Sequence, residues 1–253
     1  MAETPYIVTQ GVVLRETLTK EADKILTLLT RDQGKISVIA RGVRRKGCKY
    51  AACAQPLVYS EWTLYKKGDW YYANDGRTLE LFSGLRSDLE AMSLGFYLAE
   101  LTETVATEET AEDLLRHLLN GLYALAVLHK PPALVKAAFE IRLLGLAGYE
   151  PLVDGCAYCG DEAPMQPMLD VVQGVLCCRA CGSGEGGLPK PLCPDSLKAL
   201  RHIVYGDAKR LYSFRLEGDA LERLSRAAEA FVGAQLERSF RTLDFYRQIA
   251  AQA

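Results

Sequence analysis

The sequence has no long apolar run, and this absence narrows the classes of protein to which it can belong. No stretch of its 253 residues approaches the roughly 18 apolar residues that suggest a membrane-spanning helix. The first residues, MAETPYIVTQ, lack the basic segment and apolar block of a secretory signal. We therefore expect a cytoplasmic protein without a membrane partner. Such a compartment keeps thiols reduced, so the eight cysteines need an explanation other than disulfide bonds.

The sequence also lacks the short motifs that mark common catalytic sites. It contains no GxxxxGK[ST] phosphate-binding loop, no GxSxG, no HExxH, and no GxGxxG after a predicted strand. The three histidines, at positions 117, 129 and 202, have no spacing typical of metal binding or catalysis. These absences favour a binding protein over an enzyme.

Positive charge is concentrated in one part of a chain whose net charge is only −2. Residues 1–80 contain 13 Lys and Arg against 9 Asp and Glu, whereas the remainder is acidic. Five of the positive residues lie in ARGVRRKGCKY, residues 40–50, which contains no acid. Such a run is either a solvated loop or a binding site for a polyanion.

Short strands are predicted before residue 80. The segment GKISVIAR alternates, with Ile36, Val38 and Ala40 on one face and Lys35 and Arg41 on the other. RDQG and ANDG have the composition of turns and predict two hairpins. Four or five short strands without a helical period between them suggest a small barrel, and a five-stranded OB-type barrel fits this length.

Beyond residue 80 the apolar spacing becomes three and four residues, which is typical of helices. The first such stripe consists of Leu85, Leu89, Met92 and Phe96. Similar stripes follow, for example Leu115, Leu118, Leu122 and Leu125. We interpret these stripes as the core of a helical bundle.

Two CxxC pairs indicate a metal site. The four cysteines, each pair followed by glycine, are Cys156, Cys159, Cys178 and Cys181. Two thiolates in a tight turn can bind one metal ion, and two such turns provide a tetrahedral four-sulfur site that suits zinc. We expect one structural Zn²⁺ per chain, with an iron–sulfur cluster or a redox pair as alternatives. Cys177, beside Cys178, is a second candidate for the third ligand.

The predicted fold is therefore α+β and multidomain. Residues 1–80 are expected to form an N-terminal OB-fold β barrel. Residues 81–253 form a helical domain, with a four-cysteine zinc insertion at about residues 152–193.

Four segments together resemble the bacterial RecO family. They are GVVLRETLTKEADKILTLLTRDQGKISVIARGVRR, LRSDLEAMSLGFYLAEL, FEIRLLGLAGYEP and CAYCG…CRACG, in that order. The resemblance covers nearly the whole chain, and ARGVRR and the two CxxC pairs are its most specific parts. It implies a non-catalytic recombination mediator of the RecF pathway in DNA repair. Such proteins bind single- and double-stranded DNA, anneal complementary strands, and together with RecR help load RecA onto DNA coated by single-stranded DNA-binding protein.

The resemblance assigns roles to particular residues and implies association with the nucleoid. The resemblance implies that residues 1–80 are a nucleic-acid-binding domain and that the basic run is a loop that follows phosphates beside an OB-type face. Its predicted DNA-binding residues are Lys35, Arg41, Arg44, Arg45, Lys46 and Lys49. The helical part is expected to bind the acidic, apolar-ended C-terminal tail of single-stranded DNA-binding protein, and the predicted contacts are Lys136, Phe139 and Arg142. Two alternatives stay open: a zinc-containing nucleic-acid-processing enzyme, and an adaptor that binds acidic protein tails.

Overall fold

The chain forms two compact units in the computed structural model, which describes residues 6–252. The first unit runs to Val127 and resumes at Phe240, and the second is Leu128–Ser239. The helices that follow the barrel before Val127 belong to the same unit as the barrel. The domain boundary at residue 80 stays a prediction. None of the helices within residues 6–252 is long and apolar enough to cross a membrane.

A closed five-stranded barrel occupies the N-terminal part of the first unit. Its strands are β1 (Tyr6–Thr19), β2 (Asp23–Thr30), β3 (Lys35–Ala40), β4 (Tyr59–Lys67) and β5 (Trp70–Glu80). They pair in the order β1-β2-β3-β5-β4, and β4 pairs back onto β1 to close the barrel. Neighbours are antiparallel except β3 and β5, which are parallel. This is the predicted OB-type barrel.

The alternation predicted for β3 is confirmed. Ile36, Val38 and Ala40 are buried in the barrel core together with Trp62 and Leu64 of β4. The residues between them on β3 point outward because successive side chains of a strand alternate between faces.

One of the two predicted hairpin turns is confirmed and the other is wrong. RDQG connects β2 to β3 and ends at Gly34, whose φ of 66° suits glycine. ANDG instead lies inside β5. Leu64 pairs with Ala73 and Thr63 with Asp75, so Asn74 is an extra residue in a β-bulge. The β4–β5 turn is at Gly68, where φ is 60°.

Four helices complete the first unit: α1 (Ser83–Arg86), α2 (Leu89–Val105), α3 (Ala111–Ala126) and α7 (Arg241–Ala250). Within this unit, α2 packs against α3, α7 and β1, and α3 packs against β2. The predicted stripe on α2 is wrong at Leu89, which is 62% exposed, whereas Leu94 and Tyr97 are fully buried. Because α2 has neighbours on several sides, no single apolar stripe describes its buried surface.

The second unit combines helices with a small sheet. Its helices are α4 (Pro132–Leu146), α5 (Pro194–Tyr205) and α6 (Gly218–Leu236), with a 3₁₀ turn at Ala208–Arg210. Its strands are β6 (Pro167–Asp170), β7 (Val175–Cys178) and β8 (Pro189–Pro191), in the order β7-β6-β8. α4 packs against α5 and α6, and α6 also contacts β8. The three strands lie in the segment between α4 and α5, where the insertion was predicted.

Candidate metal centre and nucleic-acid interface

The four predicted cysteines converge in the second unit. The sulfur atoms of Cys156, Cys159, Cys178 and Cys181 all lie within 4.8 Å of one another. The sulfurs of Cys159 and Cys178 are 3.9 Å apart. Metal–sulfur bonds of about 2.3 Å in a tetrahedron place sulfurs about 3.8 Å apart, so this arrangement fits a four-coordinate ion.

Each CxxC pair lies in a tight turn that a glycine closes. The backbone N–H of Gly160 donates to the Cys156 carbonyl at 2.8 Å, and that of Gly182 donates to the Cys178 carbonyl at 3.0 Å. Their φ values of 75° and 74° lie in the left-handed region that glycine tolerates without strain. The glycine after each pair, visible in the sequence, therefore has a definite role in the turn.

Backbone N–H groups also point at the sulfurs. The N–H of Cys178 donates to the Cys156 sulfur at 3.3 Å, and that of Cys181 donates to the Cys178 sulfur at 3.4 Å. Burial opposes ionisation of Cys156, but hydrogen bonds from the backbone of Cys159, Tyr158 and Cys178 lower the pKa of its thiol to about 6. These bonds favour a thiolate, the form that binds a metal ion.

The structure distinguishes Cys178 from Cys177. The Cys178 sulfur belongs to the cluster, whereas the Cys177 side chain is fully buried on β7 beside Met168. Burial raises the pKa of the Cys177 thiol to about 11. Cys177 therefore packs as a small apolar residue, and its neighbour is the third member of the cluster.

An arginine on α5 holds the first CxxC turn in place. The Nε of Arg201 donates to the Val153 carbonyl at 2.8 Å, and its Nη2 donates to the carbonyls of Asp154 and Glu162, both at 2.6 Å. These three acceptors flank the first pair, Cys156 and Cys159, on both sides. The four-sulfur cluster is thus tied to α5 by side-chain contacts that cysteine spacing does not indicate.

The basic run forms the start of the loop between β3 and β4. The side chains of Arg41, Arg44, Arg45, Lys46 and Lys49 are all exposed. Within residues 6–252, none of these five forms an ion pair with a carboxylate. The structure therefore brings five of the six predicted DNA-binding residues together in one exposed loop, where Arg44 Nη1 also donates to the Glu21 carbonyl at 3.1 Å.

Contacts to the β1–β2 turn fix the loop's position. The Gly42 N–H donates to Asp23 Oδ1 at 2.7 Å, and the Arg44 N–H donates to the Ala22 carbonyl at 3.1 Å. The Tyr50 hydroxyl donates to the Arg41 carbonyl at 2.8 Å, and burial raises the pKa of Tyr50 to about 12. The backbone of the loop is thus bound to the barrel while its cations remain free of carboxylate partners.

Lys35 is separate from this loop. It begins β3, whose six residues at about 3.3 Å each span about 20 Å. Its ammonium donates to the Glu103 carbonyl at 2.7 Å, beside Arg15, which pairs with the Glu103 carboxylate at 3.0 Å. Lys35 shares the outward face predicted from alternation, but its charge is directed towards the end of α2.

Tyr72 is a residue of this surface that the sequence reasoning missed. The guanidinium carbon of Arg41 lies 4.8 Å from the centroid of the Tyr72 ring. Alternation from the buried Ala73 would have placed Tyr72 on the outside of β5, but the misplaced turn at ANDG obscured that pattern.

The three predicted partner contacts lie on α4 but face inward. Lys136 is 2% exposed and Phe139 is fully buried. Arg142 Nη1 donates to the Val204 carbonyl at 2.6 Å, near the end of α5. A role for these residues in binding a protein tail stays a prediction, and this arrangement leaves little of their surface accessible.

Comparison with known proteins agrees with these observations over nearly the whole chain. The family model described as Recombination protein O N terminal matches residues 1–82, and that described as Recombination protein O C terminal matches residues 86–244. The DNA repair protein RecO of Acetivibrio thermocellus is 32% identical over 246 residues, which cover 96% of this chain and 97% of the relative. The protein of the same name from Caldicellulosiruptor bescii is 32% identical over 244 residues, covering 96% and 98%. The chain belongs to the RecO family of DNA repair proteins.

Proposed function

We propose that this chain is a non-catalytic recombination mediator that acts in the cytoplasm on nucleoid DNA. It binds single- and double-stranded DNA and anneals complementary strands. Together with RecR it helps load RecA onto DNA coated by single-stranded DNA-binding protein. Membership of the RecO family supports this proposal, and the basic loop on an OB-type barrel is the observation that carries it.

The loop suits phosphate binding for two physical reasons. Its five cations are exposed and have no carboxylate partner within residues 6–252, so binding a phosphate breaks no existing ion pair. Its backbone is held to the β1–β2 turn, so ordering the loop costs little additional conformational entropy. Annealing requires two strands to be held without reading their bases, and phosphate contacts provide binding of that kind.

Replacing both Arg44 and Arg45 by Glu is expected to weaken binding of single-stranded DNA. Loss of two phosphate contacts should make the slope of log K against log salt shallower by about 1.4. At 0.1 M salt, this change corresponds to binding that is about 25-fold weaker. Fluorescence-anisotropy titrations at several salt concentrations measure both quantities, and an annealing assay shows whether activity follows affinity.

A matched control makes the same change of net charge elsewhere in the first unit. Replacing Arg116 and Arg247 by Glu changes exposed helical positions, so DNA affinity and slope should change little. If the loop variant and this control behave alike, the basic run is a solvated loop and the proposal loses its main support.

We further propose that the bound metal is zinc and that its role is structural. Four thiolates fill a tetrahedral shell, which leaves no position for an activated water. When bound, the ion supplies stabilisation of the segment between α4 and α5, because it joins two turns that are 22 residues apart at Cys156 and Cys178.

The tail of single-stranded DNA-binding protein needs a pocket with apolar and cationic groups, and the second unit has one. A groove of about 490 Å³ lies beside α5. Its lining includes Phe214 and Leu216 as apolar groups, Lys198, His202 and Arg215 as basic ones, and Asp195 and Glu217 as acidic ones. Arg215 and Lys198 are exposed at this groove, whereas Lys136 and Phe139 are buried, so the groove offers cations to an acidic tail that α4 does not.

Replacing Arg215 by Glu is therefore expected to weaken binding of an acidic, apolar-ended tail peptide by about tenfold, since one charge-assisted contact becomes repulsive. Calorimetric titration with the peptide measures this, and naked DNA titrated in parallel should be unaffected. The comparison variant is Arg142→Glu, which changes one of the tail contacts on α4 that the family resemblance implies. If only Arg142→Glu impairs peptide binding without lowering the unfolding temperature, the pocket is at α4 and the groove is not the site.

A further inference from the structure

Three tyrosines form a row across the outside of the barrel. Tyr6 of β1 pairs with Tyr65 of β4, which pairs with Tyr72 of β5. The rings of Tyr65 and Tyr72 are stacked, with centroids 5.1 Å apart and an interplanar angle of 13°. Tyr6 and Tyr65 meet edge to face at 6.3 Å. Paired residues point to the same face of a sheet, so the row crosses three strands on one surface.

Exposed apolar and basic groups extend this tyrosine row. Tyr6 is 60% exposed, and Trp70, two residues before Tyr72 on the same outward face, is 44% exposed. Ile39 of β3 pairs with Tyr72, and the Arg41 guanidinium lies over the Tyr72 ring at 4.8 Å. The tyrosine row therefore leads from β1 directly to the basic loop.

The neighbouring outer surface of the barrel is covered by helices of the same unit. Thr27 and Leu29 point outward on β2, yet they are 8% and 0% exposed, because α3 packs against this strand. Arg15 and Lys35 on the flanking strands are bound to Glu103 of α2. OB-type barrels commonly bind nucleic acid across strands 2 and 3. Here helix α3 covers the middle of β2. A DNA strand that leaves the basic loop can therefore continue over the exposed tyrosine row.

We propose that the tyrosine row is a stacking platform for the bases of single-stranded DNA. The inference rests on the proposed DNA-binding function and adds the path of the strand: from the basic loop, over Tyr72 and Tyr65, towards Tyr6. Aromatic rings stack with any base and therefore tolerate any sequence, and an arginine over a ring adds a cationic face. Bases inside a duplex are not available for such stacking, so the platform favours single strands.

Two oligonucleotides of equal length separate base stacking from phosphate binding. One is oligothymidylate, and the other is an abasic strand with the same number of phosphates. The wild-type chain is expected to bind oligothymidylate at least about fivefold more tightly than the abasic strand, the lower limit for one stacked base. Trp62 is fully buried and Trp70 is exposed, so a change of tryptophan fluorescence on binding reports on the platform.

Replacing Tyr65 and Tyr72 by Ala should remove this preference and leave the salt slope unchanged, because no phosphate contact is lost. Replacing both by Phe keeps the rings and should retain the preference. Tyr123→Ala, which removes a 46% exposed ring from α3, is the matched control and should have no effect.

Four results would overturn the platform. If the wild-type chain binds both strands equally, or if the Ala pair keeps the preference for oligothymidylate, the bases do not stack there, although DNA binding itself stands. If the Ala pair loses as much affinity for duplex DNA as for oligothymidylate, the tyrosine row contacts something other than unpaired bases. If neither strand binds, the proposed function fails and the platform fails with it. The comparison of strands on the wild-type chain needs no variant, so a poorly folded Ala pair does not weaken the test.

Discussion

Replacement of Cys178 by Ser is expected to release the metal ion and to unfold the segment between α4 and α5, whereas Cys177→Ser should leave both unchanged. Only the Cys178 sulfur belongs to the four-sulfur cluster, and Cys177 is packed inside β7. Structural zinc sites in small peptides bind with apparent free energies of about 10–16 kcal/mol, so losing one of four thiolates removes a large part of this segment's stability. The short strands β6, β7 and β8 bury too little apolar surface to replace it.

Elemental analysis of the purified variants measures the metal, and limited proteolysis of residues 152–193 measures the folding of the segment. Cys177→Ser is a close control for Cys178→Ser, because both variants replace one sulfur atom by oxygen and the two positions are adjacent. A metal-free wild-type protein would contradict the proposed centre, iron in place of zinc would favour the cluster alternative, and loss of metal only in Cys177→Ser would reverse the ligand assignment.

Replacing Lys136 by Met is expected to destabilise the second unit by about 3–5 kcal/mol, the usual cost of breaking a buried ion pair from one side. The ammonium of Lys136 lies 2.8 Å from a carboxylate oxygen of Glu140 and 2.8 Å from one of Glu229. The Glu140 side chain is fully buried, so removing the cation takes away a positive charge that stabilises this carboxylate in the interior. Urea unfolding followed by circular dichroism gives the change in the free energy of unfolding.

The double variant Lys136→Met with Glu140→Gln removes both buried charges and should recover most of the lost stability. Lys209→Met, at an exposed lysine of the same unit, is the control for losing a lysine. If Lys136→Met costs no more than this control, the buried pair does not hold α4 to α6. The result also bears on partner binding, because a variant of Lys136 that loses a tail peptide through unfolding says nothing about a pocket.

Patterns over a few residues were enough to predict the barrel and the four-cysteine cluster. Alternation at Ile36, Val38 and Ala40 depends only on the two-residue period of a strand, so the inward face was predicted correctly. The CxxC pairs were equally local, since each turn and its glycine are set within five residues. The choice between Cys177 and Cys178 followed from the same spacing.

Features that depend on distant contacts were not predictable in this way. The pair Lys136 and Glu140 has the spacing of a solvated helical ion pair, and only Glu229 on α6, far along the chain, makes it a buried triad. Asn-Asp-Gly suits both a turn and a bulge, and the pairing of β5 with β4 decides between them. The outer face of β2 is covered by α3, a contact that the two-residue period of a strand does not indicate.

The return of the chain to its first unit has a consequence for biosynthesis. Phe240 packs its ring against Tyr97 of α2 at 5.8 Å, and Thr242 bonds to Glu100 across 142 residues. A ribosome adds roughly 5–20 residues per second. While residues 128–239 are synthesised, α2 therefore lacks its packing partner α7. During that interval the surface that α7 later covers is exposed to chaperones and to other nascent chains. The second unit is synthesised without interruption, so it can complete its fold on the ribosome before the barrel's unit does.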